Sequence, residues 1–266
     1  MSTMTAVRPP DYRVTQSRVI KSEWIKFWSL RSTTITLIAG VVLFVGIGLL
    51  ATQVTSDGGG PGGDGPVNPI DISLAGVNFA QLVLGTLGVL LMAGEYSTGM
   101  IRSTFAAVPR RLPVLWAKIA VFVGVVFPLM LAAAFIAFLG GQALIGDGGA
   151  SLGDPGALRA VIGSAVYVTG AGVLGMALGA LLRSTPAAIT TFFGVMFLLE
   201  GIVQILLPQA WRDDFGPYLP SQAGSAIGAV TQQSGWLSPW AGLAVFLGYL
   251  VVLTGAAAWR LKRQDA

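Results

Sequence analysis

Few side chains in this sequence are suited to chemistry, and they fall in two places. Glu95 and Arg102 lie in a polar stretch, residues 93–111, set between two apolar runs. Glu200 is the only acid deep inside an apolar run (TTFFGVMFLLEGIVQILLP). A carboxylate is costly in hydrocarbon, so Glu200 must face protein or a water-filled cavity, or be neutral. It reads either as a substrate-path or proton-linked residue, or as a structural residue hydrogen-bonded to Gln204 one turn on. Histidine and cysteine are both missing. That removes Ser-His and Cys-His catalysis, zinc hydrolysis, histidine proton relays and disulfides. With no recognisable nucleophile–base pair, a membrane enzyme is disfavoured. One buried carboxylate without histidine also gives an ion-coupled secondary transporter few sites to work with.

The elements that must position these residues are membrane spans. Of the 266 residues, 54% are hydrophobic and only 11% charged, against about 25% charged in a soluble domain. A span needs about 20 mostly apolar residues. Six runs qualify, at about 33–52, 72–93, 112–139, 157–182, 187–207 and 239–259. The first is longer than a signal-peptide core and is preceded by about 30 residues, which favours a retained span. Between the spans, residues 53–71, 140–156 and 208–238 carry acids. All of the 16 basic residues except Arg159 and Arg212 fall on the other side. The positive-inside rule makes that side cytoplasmic, with both termini inside. The net charge of +4 then reflects topology and not nucleic-acid binding. Arg159 and Arg212 read as solvated anchors. The Gly-rich stretch at 58–65 lacks the Lys-Ser/Thr of a phosphate loop and reads as an outer linker.

The fold class expected is therefore an all-α integral membrane protein. A disordered cytoplasmic tail is expected over 1–16, an amphipathic interfacial helix over 17–31, the six-span domain over 32–259 and a cytoplasmic tail over 260–266. In the interfacial helix, Ile20, Trp24, Phe27 and Trp28 share one helical face and Arg18, Ser22, Lys26 and Ser29 the other. Trp24, Phe27 and Trp28 are the expected membrane-interface anchors. In span four, Ala171, Gly175 and Gly179, with Gly172 beside them, make a flat face for close helix packing, within the subunit by default. The stretch after span two predicts a short helix that begins near Glu95, where a carboxylate complements the helix dipole, and ends at Pro109. Met100, Ile101 and Phe105 would give it an apolar docking side.

The residues Glu95, Tyr96, Gly99, Ile101, Arg102 and Thr104, followed by Pro109, Arg111 and then Lys118, form a pattern that resembles permease subunits of type-2 ABC exporters. The order of amphipathic helix and six spans, the chain length and an outer segment over 217–227 before span six agree with that resemblance. It implies that residues 94–109 are a coupling helix docking on a cytoplasmic ATPase, with Glu95, Tyr96, Gly99, Met100, Arg102 and Phe105 as coupling residues. It also implies a bacterial inner-membrane complex of two permeases, as a homodimer, with two ATPases. The sequence has no G-x-x-x-x-G-K-[ST] loop, so ATP and Mg would be bound by the partner and no cofactor or metal by this chain. Phe79, Phe122, Phe127, Phe192, Phe193 and Phe197 are candidate apolar walls for a hydrophobic or amphipathic substrate, and equally fit lipid contact. The reading from another class is a non-transporting membrane scaffold or sensor that anchors a cytoplasmic partner. The two are separated by whether that partner is an ATPase whose rate depends on this chain.

Overall fold

The structure, a computed structural model, describes residues 15–57, 68–108, 111–206, 208–231 and 235–263. The Gly-rich stretch, most of the N-terminal tail, residues 264–266 and Pro109 lie outside the described residues. Among the described residues there is no strand, and six helical segments are long and apolar enough to cross a membrane. In chain order these are α2 (Arg31–Ser56), α3 (Pro69–Ser73) leading into α4 (Val77–Ser97), α6 (Leu112–Ile145), α7 (Ala157–Leu182), the run α8 (Thr185–Phe193) to α9 (Leu199–Leu206), and α12 (Pro239–Arg263). Four short helices accompany them: α1 (Gln16–Ser29), α5 (Met100–Ala107), α10 (Gln209–Phe215) and α11 (Pro220–Ser225).

The helices run longer than the apolar runs alone. Backbone amides and carbonyls in hydrocarbon must pair within the helix, so the helix continues until water or a side chain can take over. Thus α6 extends to Ile145 and α12 to Arg263. Asn68 ends the loop before α3 by accepting the Ile70 N–H at 2.9 Å. Gln142 of α6 then fastens α3, donating to the Pro69 carbonyl at 3.0 Å and to Ser73 Oγ at 2.8 Å.

The centre of the molecule is the α4–α7 contact. The two backbones meet glycine to glycine. A Cβ on Gly175 would stand 2.1 Å from the Gly85 carbonyl oxygen, and one on Gly88 would stand 2.0 Å from that of Gly172. The small-residue face of span four is therefore spent within the subunit. Around it pack Phe44 from α2, Leu84 from α4, Phe122, Met130 and Phe138 from α6, and Met176 from α7. The outer faces of α2, α8–α9 and α12 present Ile35, Ile38, Leu198, Ile205, Val251 and Val252 to the surroundings. Exposed apolar faces of this length on helices of span length define a multi-pass membrane protein.

One expectation is corrected here, and the candidate aromatic walls are sorted by burial. The face predicted for α1 is split: Val19, Glu23 and Phe27 are buried, while Ile20, Trp24 and Trp28 are exposed. Packing against α6 chooses the buried stripe, and that stripe includes an acid. The aromatic walls are also split. Phe122 and Phe192 are fully buried core, while Phe79, Phe193 and Phe197 are exposed.

Candidate functional site

The residues able to do work gather at opposite ends of the bundle. At the end formed by the start of α6 and the finish of α4, four charged side chains converge. Lys118 Nζ lies 2.6 Å from Glu95 Oε1 and 2.7 Å from Glu23 Oε2. Lys26 Nζ lies 2.9 Å from Glu23 Oε1 and 3.2 Å from Glu95 Oε1. Glu23, Glu95 and Lys118 are only 5, 6 and 7% exposed. Charges buried to this degree are tolerated only when paired and hydrogen-bonded, and two acids with two lysines leave the cluster neutral. Burial by itself lowers the pKa of the Lys26 ammonium. The Glu23 hydrogen bond and charge, with Glu95 behind them, more than reverse this and hold it above the ordinary lysine value.

The cluster joins four elements. Glu23 and Lys26 come from α1, Glu95 from α4 and Lys118 from α6, and α5 enters through Thr104. Its hydroxyl accepts from Lys26 Nζ at 3.1 Å, and its proton has Met100 O at 3.2 Å and Glu95 Oε2 at 3.4 Å within reach. A cavity of about 270 Å³ opens beside the cluster, lined by Glu23, Lys26, Phe27, Glu95, Met100 and Lys118.

This geometry corrects the local reading of Glu95. The short helix does not begin there. Helix α4 runs through Glu95 to Ser97, and α5 begins at Met100 after Gly99, whose φ of 73° is left-handed. Glu95 thus sits in the last turn of α4, where the helix dipole disfavours a carboxylate. The lysines hold it there instead. Being buried, it is not part of the free surface of α5, where Met100 is exposed. Tyr96 follows it, its ring 5.4 Å beneath the Arg183 guanidinium. Arg102 and Phe105 lie on α5, but their side chains are outside the described residues.

At the opposite end, Glu200 of α9 accepts from Ser221 Oγ at 3.0 Å and from the Gln222 amide. Its partners are thus on α11; the side chain of Gln204, its expected partner, is outside the described residues. A π-helical segment, Gly194–Leu198, separates α8 from α9. The extra residue of a π turn rotates the remainder of the helix by about 100°, which sets the face on which Glu200 emerges. Arg159 is more than an anchor. Its guanidinium donates to the carbonyls of Ile227 at 2.7 Å and Ala229 at 3.0 Å. Asp71 accepts the Val230 and Thr231 N–H groups at 2.8 and 2.9 Å. Together they clamp residues 227–231 over α3 and α7.

Sequence reasoning missed Glu23, Lys26 and Lys118 as one site with Glu95. A signal existed: Glu23 lies on the Val19–Phe27 stripe, an acid at i+4 between two apolar residues, and Lys118 lies inside an apolar run. Each needs an opposite charge.

The fold defines the class, an all-α multi-pass membrane protein. No protein-family model matches the chain, and no curated protein matches it.

Proposed function

We propose that this chain is the permease subunit of an ATP-driven exporter of the type-2 ABC kind, residing in a bacterial cytoplasmic membrane. Two copies would assemble with two cytoplasmic ATPase subunits, which bind ATP and Mg. The observation that carries the reading is the four-charge cluster. It ties α5, a short helix with an exposed Met100, to α1, α4 and α6 at once. A displacement delivered to α5 therefore reaches α4 through the part-buried Thr104 contacts and, through Glu95 and Lys118, α6. Glu95 is a positioning residue in this mechanism, and Met100, with the outward side of α5, is the docking surface. Helix α1 would lie in the interface with Trp24 and Trp28 toward lipid and Phe27 toward α6. ATP would drive the cycle only through a difference in ATPase affinity between inward-open and outward-open states.

The test is purification of the tagged chain from native membranes with Met100→Glu beside the natural sequence. We expect a stoichiometric ATPase to accompany the natural chain and to be lost from the variant, which still inserts and remains monodisperse. A chain that carries no ATPase, even after cross-linking, overturns the exporter reading.

A further inference from the structure

A cavity of about 650 Å³ opens at the Glu200 end of the bundle, between α4, α7, the α8–α9 run and α11. Its lining combines the Glu200 carboxylate with the aromatic rings of Tyr167, Phe197 and Trp236 and the amide of Gln81. No lysine or arginine lines it among the described residues. Arg212, beside Asp213, lines an adjoining recess that shares Glu200, Gln222 and Trp236 with the cavity.

Three observations point to the charge of a ligand. The hydrogen bonds to Glu200 come from Ser221 and Gln222, both neutral donors, so they orient the carboxylate without cancelling its charge. The other lining acid, Asp71, accepts from the Val230 and Thr231 amides and interacts electrostatically with the Arg159 guanidinium, so its charge is partly offset by a cation outside the lining. Gln81 lines the cavity, and its oxygen is engaged by the Tyr167 hydroxyl, so its amide nitrogen is the group left to donate to an oxygen of a guest. Aromatic faces beside a carboxylate attract cations electrostatically.

We infer that this cavity is a binding site for an organic cation: an ammonium or phosphonium centre against Glu200, its apolar substituents on Phe197 and Trp236, and any ether or carbonyl oxygen on Gln81. That such a cation is also the cargo rests on the transport reading above; that the cavity binds it does not. Gln81 and Glu95 lie fourteen residues apart on α4, about 21 Å along the helix, so the cation site and the charge cluster are separate and separately testable.

The experiment measures tetraphenylphosphonium binding to the full chain in phosphatidylcholine nanodiscs by equilibrium dialysis, with protein-free discs subtracted. Saturable binding is expected, weakened at least tenfold by Glu200→Gln and severalfold by Phe197→Ala; tetraphenylborate, which has the same shape and the opposite charge, is assayed separately and should show no saturable binding. Each variant is checked for monodispersity and for its unfolding temperature. Should Glu200→Gln fail to fold, the separate borate assay on the natural chain decides. Absence of saturable binding, equal binding by a folded Glu200→Gln, or equal saturable binding of tetraphenylborate overturns the inference. A chain that binds the cation but carries no ATPase overturns the exporter reading and leaves the cation site standing.

Discussion

Lys118 is the centre of the charge cluster: among the described residues it alone contacts both Glu23 and Glu95 at under 3 Å. Its replacement by methionine keeps the length of the side chain but leaves Glu23 and Glu95 facing each other with only the half-exposed Lys26 between them. Removing one partner of a buried ion pair costs about 3–5 kcal/mol, so Lys118→Met should lower the unfolding temperature of the purified chain sharply. The double variant Glu23→Gln with Lys118→Met leaves Lys26 and Glu95 as a balanced pair. It should cost less than the sum of the two single changes, by roughly 0.5–3 kcal/mol for groups in one network. Thermal unfolding of the four proteins closes the cycle. A Lys118→Met chain as stable as the natural one would mean that the cluster is solvated and does not tie α1 to α4 and α6.

At the scale of elements, the α4–α7 contact tolerates no side chain where the backbones touch. A methyl group on Gly175 meets a carbonyl oxygen, not a movable side chain. Gly175→Ala must therefore push the helices apart, at a cost of about 1–3 kcal/mol. Gly248→Ala on α12 meets nothing within 4 Å and should be neutral or slightly stabilising, since alanine is the better helix former. Unfolding temperatures that fall equally for both would remove the close contact as the cause. This contact was legible in the sequence as the spacing of Ala171, Gly175 and Gly179, because close packing demands small residues at one helical period. The spans were legible for a similar reason: hydrocarbon thickness imposes a length that composition must meet. The break after Glu95 was not. A run of Glu95, Tyr96, Ser97 and Thr98 is compatible with either end of a helix, and only the left-handed Gly99 decides that α4 finishes there and α5 starts anew. Nor was the clamp of Asp71 and Arg159 on residues 227–231 legible. Its partners are backbone groups of a segment more than sixty residues away from Arg159, and backbone groups carry no sequence signature.

For the molecule as a whole, charge separates by end. The cluster end also gathers Arg111, whose guanidinium reaches the Leu261 carbonyl at 3.4 Å, and Arg260, which reaches the carbonyl of Leu181. The opposite end holds Asp71, Asp154 and Glu200, with Arg159 and Arg212 as its basic residues. The positive-inside rule predicts α5 on the cytoplasmic side and the large cavity on the outer side, the orientation that the proposed ATPase docking on α5 requires. Because the sequence contains no cysteine, single introduced thiols report sidedness without background. Ser103 of α5 and Gly153 of the loop before α7 are both exposed, and a side chain at Gly153 meets only Ser151 Oγ, at an ordinary 3.6 Å. In intact cells, a membrane-impermeant maleimide should label Gly153→Cys and spare Ser103→Cys; in inside-out vesicles the pattern should reverse. Labelling of Ser103→Cys from outside would invert the chain. It would turn the Glu200 cavity toward the cytoplasm and leave α5 where no cytoplasmic ATPase can reach it, so the exporter reading would fail on topology alone, before any transport was measured.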